Sequence, residues 1–459
     1  MGISETFEKS AKGLAIKAIT NKIGSNPEKN IEQAFLFAKK WSKGDFAQSQ
    51  IDRVYSAYKD VPSIHEFVND LFTTTNNHCL TTAFTNFFSN AAWYGMPKRA
   101  KILKETGNKV PFTILISPSM RCNLNCTGCY ANSYSKEDDI PFEEMDRLVG
   151  EARDLGVYYI IILGGEPFIN DYMLDIYEKY SDVMFTPFTN GTLIDEKVAD
   201  RIQKLGNVMP MFSLEGFEKE TDARRGEGTF KRTTAAARLL KERGVLFGIS
   251  SATATNNMDI VTSDEYIDML VDMGAKMIWY FMFMPVGHDP AIELMLTPEQ
   301  RLTLGERTRR IRTTKKIFPI DFFNDAPYVG GCIAGKYYCH INSKEDVEPC
   351  IFAHFSAVNV KGKPLMTAFE HPYFKEHIAR QPYNENMLLP CMMIDNPEVV
   401  REIVAKTGAK PSDRGAEMML YDEEFKKRIE KVAADFKPYA DKAWEEVFHS
   451  SGRKSMSKG

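Results

Sequence analysis

The sequence has no apolar run long enough to cross a bilayer. Its longest apolar stretches, YYIIIL and MIWYFMFMPV, are short and aromatic-rich, as buried strands are. The N-terminus, MGISETFEKS, lacks the apolar core of a secretory signal. Charge of one sign is missing too: 58 Lys and Arg against 62 Asp and Glu leave a net charge of -4. That balance gives no global attraction to nucleic acid. Neither an internal repeat nor a low-complexity segment is present, which excludes a solenoid or a linker-like chain. These absences leave a cytoplasmic globular protein as the expectation. Its 459 residues predict two to four domains. In the cytoplasm, eight cysteines argue for metal binding or catalysis rather than disulfides.

Four stretches differ in pattern. Residues 1–107 read as helical. SNPEKNIEQAFLFAKKW opens on a capping residue with Pro27 in its first turn, and sets Ile31, Ala34, Phe35, Ala38 and Trp41 on one face. Ser63 and Glu66 have capping-box spacing, and LTTAFTNFFSNAAWYG predicts a helix ending near Gly95 and Pro97. Over 108–320, six strand patterns from FTILISPS to MIWYFMFMP alternate with helical ones, the signature of a parallel α/β sheet, open or barrel-like. Residues 321–400 are less regular and cysteine-rich. Residues 401–459 read as helical, ending in a disordered tail.

RCNLNCTGCY places Cys122, Cys126 and Cys129 within eight residues, with no fourth cysteine or histidine beside them. Thiolates suit zinc and iron–sulfur clusters, and a structural zinc site needs four closed ligands. Three cysteines on a 4Fe–4S cluster leave one iron open for a substrate or cofactor. Three structural cysteines, or a zinc site completed from afar, remain the alternatives. The motif follows the first strand of the α/β run, and the second strand ends in GGEP, Gly164, Gly165, Glu166 and Pro167. In barrels of this kind catalytic loops lie at the C-terminal strand ends. The glycines allow close backbone approach, and Glu166 brings a carboxylate to the same rim.

CNLNCTGCY followed by GGEP resembles the radical S-adenosylmethionine (radical SAM) superfamily, over roughly residues 108–320. The resemblance implies a partial (β/α)6 TIM-like barrel. In it Cys122, Cys126 and Cys129 hold a 4Fe–4S cluster whose open iron binds S-adenosylmethionine. Reductive cleavage then gives a 5′-deoxyadenosyl radical that abstracts a substrate hydrogen. The position before the third cysteine is often aromatic in that family; here it is Gly128, and Tyr130 is the aromatic that remains for packing near the adenine. The resemblance further implies that Glu166 accepts from the methionine amino group and Arg225 pairs bidentately with the carboxylate. Ser213 matches the ribose position. Thr189, Asn190, Ser250 and Met284 lie at the same rim.

GGCIAGKYYCHINSKEDVEPCIF and LLPCMMIDNP resemble the auxiliary-cluster domain of SPASM and twitch radical SAM enzymes. That implies a second 4Fe–4S cluster on Cys332, Cys350 and Cys391. Cys339 is a fourth ligand or, as burial of free cysteine favours, a core thiol. His340, His354 and Cys79 read as structural. An electron donor such as ferredoxin or flavodoxin is implied. The substrate is a small molecule, a lipid or a peptide. KGLAIKAITNKIG, residues 12–24, is basic on one side and apolar on the other, so it lies on a membrane surface or packs on the barrel. A C–H functionalising or C–C bond-forming enzyme is the leading expectation, with its substrate open and a lipid-like one among the candidates. A peptide maturase and a non-catalytic iron–sulfur carrier are the alternatives.

Overall fold

The architecture is that of a computed structural model, which describes residues 27–41, 45–132, 137–286 and 290–449 with residues 18, 22 and 135. Most of the amphipathic segment 12–24 and the tail after residue 449 lie outside the described residues.

The first region is helical: α1 (Pro27–Trp41), α2 (Asp45–Asp60), α3 (Pro62–Thr74), α4 (Asn77–Phe84) and α5 (Met96–Thr106). Ile31, with Ala34 and Phe35, packs on Tyr58, Phe72 and Leu80, which is the face the spacing predicts. Two boundaries differ from expectation. α3 starts before Ser63, with Pro62 in its first turn and no side-chain cap, because proline needs no N–H partner there. The next helix does not end at Gly95 but passes through a π-helical stretch, Thr85–Gly95, into α5, where Pro97 again falls in the first turn. Side chains of this segment hold it to the barrel: Asn86 Nδ2 donates to Ser181 O (2.9 Å), and Arg99 donates to Gly156 O.

Six strands follow in sequence order, all parallel: β1 (Thr113–Ile116), β2 (Tyr159–Ile162), β3 (Met184–Thr189), β4 (Met211–Ser213), β5 (Gly248–Thr253) and β6 (Met277–Met282). The connections are helical: α6 (Phe142–Asp154), α7 (Met173–Lys179), α8 (Glu196–Leu205), α9 (Glu218–Arg225), α10 (Thr229–Glu242) and α11 (Asp264–Met273). This is the expected partial barrel. Side chains alternate along each strand. Ile114, Ile160, Phe185 and Phe212 face the helices in the main core, whereas Leu115, Ile161, Met211 and Trp279 face the lumen.

The sheet continues past both edges of the six. After α12 (Pro298–Thr314), β7 (Phe318–Asp321) adds parallel to β6. β8 (Tyr338–Ile341) runs parallel to β1 and turns back into β9 (Val347–Glu348). The cysteine-rich stretch is thus joined to the barrel sheet through β1, and the main core runs from Cys79 to Ile429. Helices Pro397–Thr407 and Glu423–Ala443 give the last region its expected helical character.

Candidate active site

Loops after successive strands meet at the C-terminal rim. The cysteine loop follows β1 and GGEP follows β2. The two loops are laced by backbone: Gly165 N–H donates to Ser119 O and Glu166 N–H to Arg121 O, both at 2.9 Å. A Cβ on Gly164 would stand 2.2 Å from Ser119 O, and one on Gly165 1.9 Å from Arg121 O, so only glycine fits either place. Glu166 is 1% exposed. Its Oε1 accepts from Thr189 Oγ1 (2.7 Å) and Phe168 N–H (3.1 Å), and its Oε2 from Asn190 N–H (2.8 Å). Burial raises the carboxyl pKa, and these bonds pull it back only in part. Asn190 Nδ2 also points at Cys122 Sγ, 3.7 Å away. Cys122, Glu166, Thr189 and Asn190 therefore form one connected group drawn from three strand ends. Pro167 opens the single turn Pro167–Ile169.

Cys126 faces a second charged group. Arg225, the last residue of α9, aims Nη1 at Cys126 Sγ (4.0 Å). Its Nε and Nη2 edge is taken by Glu215, with Nε to Oε1 at 2.9 Å. Arg224 adds Nη1 to the same oxygen at 2.5 Å. Ala252 N–H donates to Glu215 Oε2 at 2.9 Å. Burial pushes the Glu215 pKa up, but the two guanidinium groups more than offset it, so the carboxylate is held below its usual range. A backbone bond from Thr127 N–H to Arg224 O (2.9 Å) and a side-chain bond from Arg224 Nε to Thr127 O (3.2 Å) fasten α9 to the cysteine loop. Glu215 and α9 were not expected from the sequence.

Gly128 has φ 65°, and a Cβ there would lie 2.6 Å from Phe283 Cε2. The ring that follows β6 occupies the space an aromatic at 128 would need. Tyr130 sets its hydroxyl against Gly164, accepting from the N–H at 3.2 Å, and its ring lies edge-on to Phe352. Ser213 and Ser250 are register partners on β4 and β5, both half-buried. Met284 lies beyond the end of β6 and is buried in the main core.

Residues 116–278 match the family profile described as the radical SAM superfamily. That segment is a radical SAM domain. An AdoMet-dependent heme synthase of Methanosarcina barkeri is 24% identical over 279 residues, 54% of this chain and 79% of that protein. The Fe-coproporphyrin III synthase of the same organism is 25% identical over 52% of this chain and 64% of that protein. Among solved structures, SuiB of Streptococcus suis bound to its precursor peptide SuiA is similar in fold. It has a TM-score of 0.52 and 19% identity, over 68% of this chain and 82% of that one. Native anSMEcpe with bound AdoMet and Cp18Cys peptide has the same TM-score at 18% identity, over 72% and 99%.

Radical SAM domains carry a 4Fe–4S cluster, and the donor set here fits one. Every cysteine is free of disulfides. Backbone N–H groups are aimed at the sulfurs: Leu124 at Cys122 (3.4 Å), Phe352 at Cys350 (3.4 Å) and Met393 at Cys391 (3.3 Å). A neutral thiol is a weak acceptor, whereas a thiolate gains from such donors. Burial raises the Cys122, Cys126 and Cys350 thiols and pushes Cys332 up to about 12. Such sulfurs ionise when a metal takes up the charge. Among the described residues no three His, Cys, Asp or Glu side chains close to the distances of a single ion. A ring of thiols around a multi-iron cluster is wider than that.

The remaining candidates have structural partners. Cys339 is 1% exposed and packs in the main core. Cys79 Sγ points to Gln203 O at 3.5 Å, also buried. His340 bridges Ser117 Oγ (2.7 Å) and Glu348 Oε2 (2.6 Å), and His354 bridges Asp413 Oδ2 (2.6 Å) and Ile351 O (2.8 Å). Among the described residues no helix is long and apolar enough to cross a membrane.

Proposed function

We propose that this radical SAM protein is an enzyme with two 4Fe–4S clusters that abstracts hydrogen from the apolar part of a lipid-like substrate. Cys122, Cys126 and Cys129 hold the first cluster, and Cys332, Cys350 and Cys391 an auxiliary one. Bound at the first site, such a cluster supplies the electron that cleaves the sulfonium of S-adenosylmethionine. Glu166 accepts from the amino group of the cofactor, while its bonds to Thr189 and Asn190 hold it at the rim. Glu215 orients Arg225, whose Nη1 is left to meet the carboxylate. Ser213 and Ser250 offer adjacent hydroxyls to the ribose.

The lumen carries the substrate reading. The lumen-facing strand positions of β1–β7 carry no charged side chain, and residues such as Ile161, Phe188, Met211, Trp279 and Phe281 build most of the wall. Thr186, Ser213 and Ser250 are hydroxyls among them, and Phe322 lies just beyond β7. Trp279, Phe281 and Phe322 pack on one another at 4.7–6.0 Å between ring centroids. A carboxylate-bearing macrocycle would need cations there, and a peptide would need partners for its backbone. An apolar chain needs neither, and a dry wall protects a carbon radical from stray water. The peptide reading is the alternative; the described residues before β1 are helical and offer no strand edge for a peptide to join. The test is incubation of reconstituted enzyme with dithionite, S-adenosylmethionine and perdeuterated membrane lipids. Deuterium is expected in the 5′-deoxyadenosine. Deuterium-free product, with transfer from a labelled peptide instead, would overturn the lipid reading.

A further inference from the structure

Hydrogen bonds to the sulfurs of an iron–sulfur cluster help set its reduction potential, because reduction adds negative charge that the sulfurs share. Cys122 has a side-chain amide aimed at its sulfur: Asn190 Nδ2 lies 3.7 Å from Sγ. The neighbours of that amide fix which end faces the sulfur. Asn190 Oδ1 is 2.9 Å from Thr192 N, and a backbone N–H only donates, so that end is the oxygen. Thr192 Oγ1 donates to the same oxygen at 2.7 Å and accepts from Asn123 Nδ2 at 2.8 Å. Asn123 Oδ1 in turn accepts one hydrogen of Asn190 Nδ2 at 2.9 Å. Asn190, Thr192 and Asn123 thus close a ring of hydrogen bonds, and the second hydrogen of Nδ2 is left for Cys122.

The backbone of Asn190 is held as firmly as its side chain. Its N–H donates to Glu166 Oε2 at 2.8 Å, and its carbonyl accepts from Thr233 Oγ1 at 2.6 Å. The residue is 5% exposed, so water does not compete for the amide. Other groups near the triad differ in kind. Leu124 N–H meets Cys122 Sγ at 3.4 Å, but it is backbone, and any residue other than proline supplies it. Asn123 Oδ1, 4.0 Å from Cys122 Sγ, accepts only while that sulfur is a thiol, and a cluster takes it as a thiolate. Arg225 Nη1 lies 4.0 Å from Cys126 Sγ, and its role toward the cofactor carboxylate is given above.

We infer, on the first cluster proposed above, that Asn190 sets its reduction potential: the side-chain amide donates to the Cys122 thiolate and makes the cluster easier to reduce. Asn190 acts through Cys122 and is a positioning residue, with Thr192 and Asn123 orienting its amide. No bond to iron is made and no proton is transferred. The hydrogen bond strengthens as the sulfur gains charge, so it favours the reduced cluster over the oxidised one. Asn190 also joins the two halves of the rim, since its backbone holds Glu166 while its side chain serves Cys122.

The test is an EPR-monitored redox titration of the full chain, reconstituted anaerobically. The first cluster is the signal that S-adenosylmethionine perturbs and that disappears when Cys122, Cys126 and Cys129 are changed together to Ala. Asn190→Ala should disfavour its reduction about tenfold, a fall of ~59 mV for one electron. Asn190→Asp, of the same shape but with a carboxylate for the donor, should lower the potential further. Thr192→Ser keeps both bonds to Oδ1 and should leave it unchanged. A signal that the cofactor does not perturb should keep its potential in every variant. Pulsed EPR of the reduced wild-type chain, labelled with 15N at asparagine side-chain amides, should show one such nitrogen coupled to the first cluster, a coupling kept in Asn123→Asp. That measurement decides the matter even where an Asn190 variant holds no iron. Absence of the coupling, or an unchanged potential in Asn190→Ala, would overturn the role of Asn190 alone. A wild-type chain with no signal that the triple change removes would overturn the first cluster, and this inference with it.

Discussion

Replacing Glu215 by Gln should loosen the loop that carries Cys126. Glu215 is 1% exposed and serves two guanidinium groups through Oε1 and one backbone N–H through Oε2. Glutamine has nearly the same shape but one oxygen. Its amide nitrogen must face either the guanidinium N–H groups or Ala252 N–H, donor against donor. The charge that balanced Arg224 and Arg225 is also gone. Leaving one side of a buried ion pair uncompensated costs about 3–5 kcal/mol. Arg225 is itself enclosed beside Cys126, so solvent cannot take over as partner. The cost falls locally, on α9 and on the two Thr127–Arg224 hydrogen bonds. Hydrogen-exchange mass spectrometry of the metal-free protein reads it directly. Exchange through local opening in residues 215–228 should speed up at least roughly a hundredfold, since 1.4 kcal/mol is a factor of about ten. Peptides from α6 should be unchanged. Unaltered exchange across 215–228 would refute the claim that Glu215 holds this side of the site together.

The other expectations concern ligand binding, acid and membranes. Glu166→Gln and Arg225→Ala each remove a charged contact worth roughly 1.5–3 kcal/mol, so S-adenosylmethionine affinity should fall about ten- to hundredfold by calorimetry, with iron content retained; wild-type affinity in either variant removes that residue from the site. His377 is fully buried, its Nε2 has no hydrogen-bond partner, and burial, reinforced by Arg380, lowers its pKa from 6.5 to about 3. The unfolded chain therefore takes up the proton first, and stability present above pH 6.5 is lost as pH falls toward 3. At pH 4.5 the loss is on the order of 3 kcal/mol. His377→Phe should flatten the fall in melting temperature between pH 6.5 and 4.5, and an equally steep fall contradicts it. Deleting residues 12–24 should reduce flotation with anionic liposomes while leaving cleavage of S-adenosylmethionine intact; unchanged flotation gives that segment a packing role.

Much of the barrel was legible because burial imposes a period. FTILI, YYIIIL and MFTPFT could only be strands covered on both sides, and the helices between them carried one apolar face each. The cysteine spacing and GGEP were legible because both are local. What was hidden depends on contacts between distant residues. β8 pairs with β1 across more than two hundred residues, and nothing within YYCHI announces that partner. α9, EKETDARR, has no apolar stripe, so periodicity is silent about it; its order comes from Glu215 and the cysteine loop. Glu215 itself looks like any carboxylate after a strand until Arg224 and Arg225 fold back onto it. The glycine at 128 gains its reason only when Phe283 arrives from the end of β6. Tyr338 and Cys339 are neighbours in sequence, and only the pleat of β8 separates the hydroxyl that donates to Cys350 from the sulfur that faces the core.

On this reading the rim assembled from Cys122, Glu166, Asn190 and Arg225 binds and cleaves S-adenosylmethionine. Anaerobically reconstituted protein, incubated with dithionite and S-adenosylmethionine, should form 5′-deoxyadenosine and methionine in equal amounts. The variant with Cys122, Cys126 and Cys129 changed to Ala should form neither while keeping about half of its iron, as one of two 4Fe–4S clusters remains. A loaded wild-type protein that forms no 5′-deoxyadenosine, or a triple variant that still forms it, would contradict the account.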